Sequence, residues 1–322
     1  MRVALAIVFS LAMTPLAQAA FDCTAPANAP RCVDVAIPVP AGLTVPENHV
    51  RVFLPTGYAD STASYPVLYL LHGAGDTYKT WSENTDAFAF TADKNVIVVM
   101  PDGGKNSDAG WYSDWFDGSR QWETFHIDVM IPYIDSHFRT LADDGRMVAG
   151  LSMGGFGAMH YAARHPELFK AAASFSGAVD TLYGFPVSGI AFTELHDMFG
   201  TPNDNVWGNQ VTDEKNWEEN NPASLADHLK GIPLFLASGD GVPGASAASP
   251  LVGGPASYEN PQNPGGYLIE QFIFQMNVSF ILHLTVAGVA HTDWFYPGGL
   301  HDWPYWEADL HWALPQLLAA IQ

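Results

Sequence analysis

A pentapeptide near the middle of the chain has the residue types and spacing of a serine nucleophile. It reads Gly150-Leu151-Ser152-Met153-Gly154 and matches the pattern G-x-S-x-G. An apolar stretch typical of a buried strand precedes it, and a small-residue stretch typical of a helix follows it. In this setting the glycines permit a sharp, strained turn, and the helix N-terminus directs N–H groups towards a developing oxyanion. The motif therefore predicts that Ser152 is a catalytic nucleophile.

A serine nucleophile needs a histidine base, and the chain contains twelve histidines. In folds that carry this motif, an acid and then the histidine follow the serine in chain order. His301 lies in a glycine-bearing loop before the last predicted helix, where such a fold delivers its histidine. The neighbouring candidates His283, His291 and His311 fall within predicted helices or a strand and are interpreted as structural. His301 is therefore the predicted base.

Two carboxylates compete for the role of the acid that orients the histidine. Asp240 directly follows a predicted strand, which is the usual position of the acid in this fold. Glu270 lies further along the chain, at the start of a predicted helix. The residues alone leave both alternatives open.

Short apolar stretches alternate with stretches of helical periodicity, and this alternation predicts the fold class. The predicted strands span 65–71, 95–100, 146–151, 171–176 and 233–237, and the predicted helices span 124–138, 154–165, 265–287 and 306–321. The pattern favours an α/β fold, with a mostly parallel central sheet and helices on both faces. No repeat or charge block divides the chain, so we expect one catalytic domain over residues 20–322. Residues 239–264, rich in Gly, Pro, Ser and Ala, are interpreted as a long surface excursion.

The first residues have the features of an export signal. A positive start, an apolar stretch and the small residues 17–19 predict a signal peptide over residues 1–19. Export places Cys23 and Cys32 in an oxidising compartment, which favours a disulfide between them. A zinc site would need more ligands than these two cysteines, and the nearby sequence offers none. Lipidation of Cys23 is a weaker alternative, because the preceding residues are a poor match for a lipidation signal. The expected location is outside the cytoplasm.

The charge balance excludes one class of partner. The 322 residues contain 13 Lys+Arg and 34 Asp+Glu, which gives a formal net charge of −21. Nucleic-acid binding depends on clusters of basic residues, and the sequence contains no such cluster. No later segment is long and apolar enough for a membrane helix, although an exported protein can associate with the cell envelope. The glycine-rich stretch 150–157 is explained by the nucleophile turn, so neither a nucleotide cofactor nor a metal is indicated.

Several short motifs together resemble the secreted esterase family of α/β hydrolases that includes the antigen 85 mycolyltransferases. The motifs occur in the same order as in the family, and together they cover nearly the whole predicted mature protein. The matching segments are 70–73 (LLHG), Trp81, 112–115 (YSDW), 122–125 (WETF), 150–155 (GLSMGG), 238–244 (SGDGVPG), 268–270 (LIE) and 301–306 (HDWPYW).

The resemblance implies roles for further residues. The family's acid is a glutamate at the position of Glu270, which ranks Glu270 above Asp240. Its oxyanion hole consists of backbone N–H groups that correspond to Met153 and Ala74. Trp303 matches a tryptophan that lines the family's acceptor site.

Two further side chains near the first oxyanion loop are substrate-contact candidates by the same resemblance. Trp81 either lines the site or packs beneath it. The mycolyltransferases carry an aspartate and an arginine that bind the trehalose head group where this chain has His72 and Gly75. The pair His72-Gly73 is similar to the plain esterases of the family, and His72 is predicted to contact substrate.

These observations predict a serine carboxylic ester hydrolase acting on a small-molecule or lipid ester through a covalent acyl-enzyme. An acyltransferase that moves an acyl chain to a sugar hydroxyl, such as one of trehalose, is the alternative. A non-catalytic binding protein is a third hypothesis, against which the intact serine, histidine and acid argue.

Overall fold

The computed structural model describes residues 21–104, 109–184, 203–243 and 264–322. The predicted signal peptide and most of the predicted excursion, residues 244–263, lie outside these residues. None of the helices within them combines the length and apolarity that a membrane span requires.

Eight strands form one sheet, in the order β1-β2-β4-β3-β5-β6-β7-β8. The strands are β1 (Cys32–Ala36), β2 (His49–Phe53), β3 (Val67–Leu71), β4 (Ile97–Pro101), β5 (Arg146–Leu151), β6 (Ala171–Phe175), β7 (Leu234–Gly239) and β8 (His291–Tyr296). The five strands predicted from apolar stretches correspond to β3 to β7. These strands and β8 pair in parallel, whereas β1 and β2 pair antiparallel at one edge. The predicted mostly parallel sheet is thus confirmed.

Helices cover both faces of the sheet. They are α1 (Thr80–Asn84), α2 (Ala87–Phe90), α3 (Trp122–Thr124), α4 (Ile131–His137), α5 (Met153–Arg164), α6 (Asn203–Val206), α7 (Glu214–Asn220), α8 (Pro264–Ala287) and α9 (Trp303–Ala320). A π-helical segment (Phe125–Met130) joins α3 to α4, and single 3-10 turns occupy Tyr58–Asp60, Ala142–Asp144 and Ala226–Leu229.

The core divides into two layers because successive side chains of a strand point to opposite faces. On β3, Val67, Tyr69 and Leu71 belong to the layer that α3 to α5 and α8 cover. Leu68 and Leu70 belong to the opposite layer, which α1, α2 and α9 cover. Strands buried on both faces need uninterrupted apolar sequences, which explains the apolar stretches that predicted them.

The order in which successive strands join the sheet changes direction between β3 and β5. From β3 it adds β4 on one side, then returns and adds β5 to β8 on the other. Such a switch point leaves a crevice at the carboxyl ends of the two strands, where open α/β sheets bind ligands. Leu71 pairs with Gly150 at this edge, so the loop after β3 and the turn after β5 begin side by side.

A disulfide joins Cys23 to Cys32, as predicted, and both cysteines are buried. The bond attaches the first described residues to the start of β1. Phe21 packs on Phe53 and Phe88, which brings the N-terminal segment against the antiparallel edge.

Candidate active site

Ser152 occupies a strained turn between β5 and α5. Its backbone has φ 52° and ψ −117°, a conformation that residues other than glycine rarely adopt. The neighbouring glycines are needed for space, because a Cβ on Gly150 would lie 2.4 Å from the Gly154 carbonyl oxygen. A Cβ on Gly154 would lie 2.5 Å from the Leu71 carbonyl oxygen. The turn therefore holds the serine at the crevice edge, directly before the first turn of α5.

His301 and Glu270 complete a hydrogen-bonded chain that starts at Ser152. His301 Nε2 lies 2.9 Å from Ser152 Oγ, and His301 Nδ1 lies 2.7 Å from Glu270 Oε2. A carboxylate only accepts, so Nδ1 carries the proton and Nε2 accepts from the serine hydroxyl. This arrangement is the one a serine needs in order to lose its proton to an imidazole.

Glu270 is buried, and its second oxygen has several donors. Oε1 accepts from Ser176 Oγ at 2.7 Å, from Ser238 Oγ at 3.0 Å and from the Gly239 N–H at 2.9 Å. The two serines and the glycine lie at the carboxyl ends of β6 and β7. Because a buried charge is costly unless it is paired and hydrogen-bonded, these donors favour an ionised carboxylate next to the histidine.

Asp240, the alternative acid, holds a loop rather than the histidine side chain. Its Oδ1 accepts from the N–H of Gly298 at 2.7 Å and from that of Val242 at 2.9 Å. The backbone bond from Gly241 N to Gly298 O, 3.0 Å, joins the same two loops. The structure brings Glu270, and not Asp240, to the His301 ring, while Asp240 supports the loop that carries His301.

The loop after β3 passes directly beside the nucleophile. A Cβ on Gly73 would lie 3.6 Å from Ser152 Cβ and 2.6 Å from Leu151 Cδ1. Met153 opens α5 on the other side of Ser152. Gly73 thus adjoins Ser152 in space and Met153 follows it in the chain, and the role of the Ala74 and Met153 amides as an oxyanion hole stays a prediction.

His72 lies beneath this loop and does not face the crevice. Its side chain is buried, Nε2 accepts from the Gly103 N–H at 2.9 Å, and Nδ1 contacts the Gly73 carbonyl oxygen at 2.8 Å. Since the Gly103 N–H can donate only to an unprotonated nitrogen, Nδ1 carries the proton. The prediction that His72 contacts substrate is wrong, because both of its ring nitrogens hold backbone groups in place.

A second buried histidine, His126, extends this support and was not predicted. Its Nε2 donates to the Asp102 carbonyl oxygen at 2.8 Å, and its Nδ1 accepts from the Tyr161 hydroxyl at 2.8 Å. Asp102 precedes Gly103 and accepts from the Tyr78 N–H at 3.1 Å. The sequence signal was a histidine among the apolar residues of the helix predicted at 124–138, which begins within the WETF motif.

Trp81 is a packing residue, whereas Trp303 stays a candidate for substrate contact. Trp81 is 1% exposed and its Nε1 donates to the Leu71 carbonyl oxygen at 3.0 Å. The Trp303 ring packs edge-to-face on Trp81 and on Trp306, with centroids 5.4 and 5.2 Å apart. Trp303 is only partly buried and lies two residues after His301.

The buried histidines His72 and His126 predict a specific loss of stability in acid. Burial lowers the pKa of His72 to about 4 and that of His126 to about 3, below the ordinary value of 6.5. As the pH falls below 6.5, the unfolded chain takes up protons first, so the free energy of unfolding decreases. Between pH 7.5 and pH 5 we expect each histidine to contribute about 2 kcal/mol to this decrease. Above pH 7.5 the contribution of each is negligible.

Denaturant titrations of the wild type and of His126→Gln, at pH 7.5 and pH 5, measure this effect. The variant is expected to lose less stability than the wild type between the two pH values. The matched control is His137→Gln, at an exposed position, which should retain the wild-type difference. An equal pH dependence in His126→Gln and the wild type would contradict the prediction.

Comparison with known proteins shows the family to which this chain belongs. Residues 45–317 match the family model described as Esterase. The chain is 36% identical over 260 residues to Esterase Rv1288 of Mycobacterium tuberculosis, a match that covers 78% of this chain and 52% of that protein. It therefore spans about half the length of that relative.

Two other similarities agree with this match. Diacylglycerol acyltransferase/mycolyltransferase Ag85B of Mycobacterium avium is 30% identical over 269 residues, which cover 80% of this chain and 76% of the relative. The crystal structure of Mycobacterium tuberculosis MPT51 superposes with a TM-score of 0.66 at 23% identity, covering 89% of this chain and 98% of that one. The fold, the order of the motifs and the extent of these matches lead to one conclusion: the chain belongs to the esterase family of α/β hydrolases that includes the antigen 85 proteins.

Proposed function

We propose that this protein is a secreted serine carboxylic ester hydrolase that works through Ser152, His301 and Glu270. The observation that carries the proposal is the hydrogen-bonded chain between them, with contacts of 2.9 and 2.7 Å. In a family of esterases and acyltransferases, that arrangement supports a two-step reaction through an acyl-enzyme.

In the first step, His301 Nε2 takes the hydroxyl proton while Ser152 Oγ attacks the ester carbonyl carbon. The carbonyl oxygen becomes an oxyanion, for which the N–H groups of Met153 and Ala74 are the proposed donors. Glu270 stabilises the imidazolium and keeps its ring oriented. As the tetrahedral intermediate collapses, His301 returns the proton to the leaving alcohol, and the acyl group stays on Ser152.

In the second step, water attacks the acyl-enzyme. His301 again removes a proton from the attacking oxygen, the same amides hold the oxyanion, and the proton then returns to Ser152 Oγ. The products of the two steps are an alcohol and a carboxylic acid. No step requires a group beyond those of the chain, the ester and water.

An acyltransferase is the second candidate, and the similarity to Ag85B favours it. Transfer needs a sugar hydroxyl to reach the acyl-enzyme in place of water. The positions that match the trehalose-binding charges of the family hold His72, which is buried, and Gly75, which has no side chain. This difference supports hydrolysis as the main reaction.

Secretion is part of the proposal. The Cys23–Cys32 disulfide supports an oxidising compartment. The leader-like sequence of residues 1–19 supports export through a signal peptide. Mass determination of the protein recovered from the culture medium would test it, with loss of residues 1–19 as the expected result.

A product analysis tests hydrolysis against transfer. The purified protein is incubated with p-nitrophenyl butyrate, with and without trehalose, and the products are identified by mass spectrometry. We expect butyric acid as the main product in both reactions. Butyryl trehalose as the main product would overturn hydrolysis in favour of transfer, and absence of any ester cleavage would overturn both.

A further inference from the structure

Asp76 closes a tight turn beside the nucleophile, and the proposed reaction has not used it. The turn runs from Gly73 to Asp76, with the Asp76 N–H bonded to the Gly73 carbonyl oxygen at 3.3 Å and Gly75 at φ 84°. The Asp76 side chain returns to the start of the turn, where Oδ2 accepts from the Gly73 N–H at 3.2 Å. Ala74, whose amide is a proposed oxyanion donor, lies between these two bonds.

The carboxyl group is close to the reacting centre. A methyl group placed on Gly73 would lie 3.1 Å from Asp76 Oδ2 and 3.6 Å from Ser152 Cβ. The carboxyl oxygen and the serine are thus separated by little more than the backbone of one glycine. At such a distance a charge on the carboxyl group acts on a charge that develops at the serine.

Burial of the carboxyl group raises the pKa of Asp76 to about 7, although its bond to the Gly73 N–H acts in the opposite direction. Tyr112 is a titratable side chain that interacts electrostatically with Asp76, and burial holds the pKa of the Tyr112 hydroxyl well above its ordinary value. His72, beneath the turn, is neutral by its hydrogen bonds. Ser152 also contacts His301 at 2.9 Å, and the His301 ring pairs with Glu270 at 2.7 Å, so Glu270 is a second acidic group near the same site.

We propose that Asp76 is a positioning residue of the reaction: its carboxyl group holds the Gly73–Asp76 turn with the Ala74 amide beside Ser152, and its ionisation slows acylation. The first part follows from the two bonds that close the turn. The second follows from the sign of the charges, because a carboxylate near the developing oxyanion raises the energy of the transition state. The inference rests on the proposed ester hydrolysis and adds its dependence on pH.

The ionisation effect predicts a decrease in rate on the alkaline side. As the pH rises through about 7, kcat of the wild type for p-nitrophenyl acetate is expected to fall about three- to tenfold to a lower plateau. Asp76→Asn keeps an oxygen that can accept from the Gly73 N–H but cannot ionise. This variant should show no such fall and should exceed the wild type at pH 8.5.

The positioning effect is measured separately with Asp76→Ala, which removes the acceptor. Its kcat at pH 6 should be at least about tenfold below that of Asp76→Asn, with KM changed less than about twofold, because oxyanion donors act mainly in the transition state. Asp22→Asn is the matched control: Asp22 also accepts a backbone N–H, from Thr24 at 2.9 Å, but in an exposed turn at the chain start. It should retain the wild-type pH profile.

Each result supports or overturns one of the two proposed effects of Asp76. A wild-type profile without the fall, or an equal fall in Asp76→Asn, would overturn the ionisation effect, and equal kcat in Asp76→Ala and Asp76→Asn would overturn the positioning effect. If the wild type cleaves no ester, the proposed function itself fails. The same comparison is then made on the rate at which a fluorophosphonate labels Ser152, and absence of labelling would overturn Asp76 as well.

Discussion

Replacement of Ser152 by alanine is expected to abolish both ester hydrolysis and labelling by a fluorophosphonate probe. The substitution removes the only atom that forms the proposed acyl-enzyme bond, so kcat should fall by at least about 10⁴-fold. Labelling is read by mass spectrometry of the intact protein, and hydrolysis with p-nitrophenyl butyrate. The backbone strain at this position is unchanged, because alanine retains the Cβ.

The control is a buried serine outside the hydrogen-bonded chain. Ser174 on β6 is fully buried and its hydroxyl has no hydrogen-bond partner within the described residues. Ser174→Ala should label and hydrolyse as the wild type does. Equal labelling of Ser152→Ala and the wild type would place the nucleophile elsewhere, and no labelling of the wild type would favour a non-catalytic binding protein.

The second large effect separates the two candidate acids. Glu270→Gln is expected to lower kcat about 10³- to 10⁴-fold, because a neutral amide neither stabilises the imidazolium nor selects the Nδ1–H tautomer. Asp240→Asn should cost less than about tenfold, since its amide oxygen can still accept from the Gly298 and Val242 N–H groups.

Both variants are compared by kcat and by the denaturant midpoint, so that a folding defect is not taken for a catalytic one. The stability of Glu270→Gln can differ from that of the wild type. Its kcat is therefore calculated from the concentration of folded protein. A larger loss of kcat in Asp240→Asn than in Glu270→Gln would move the acid to Asp240.

Local sequence was sufficient to predict the parallel strands but not the two antiparallel strands at one edge, β1 and β2. β3 to β7 are buried on both faces and therefore have apolar sequences. β1 and β2 have alternating or mixed sequences, and β2 contains Arg51, whose buried guanidinium is paired with Asp34. Such strands form because a neighbour supplies the pairing, and their own residues carry a weak signal.

The helix predicted at 124–138 shows a similar limit of prediction from local sequence. The structure has helix from Trp122 to His137, but its middle, Phe125–Met130, is π-helical. The wider turn includes His126, whose ring reaches the Asp102 carbonyl oxygen and the Tyr161 hydroxyl. Periodicity cannot report this, because the partners of His126 come from the residue after β4 and from α5.

By itself the sequence determined the strained turn that presents Ser152, the predicted nucleophile, because the glycines around it and the strand and helix beside it are contiguous and meet a local steric requirement. The family resemblance ranked Glu270 above Asp240, but only the tertiary structure showed that Glu270 contacts the His301 ring and that His72 is buried. These assignments depend on where the ends of β3, β6, β7 and the loop before α9 meet at one edge of the sheet. Residues as far apart as Ser152 and His301 come into contact there, and the packing of the sheet, rather than their spacing along the chain, decides which side chain faces which.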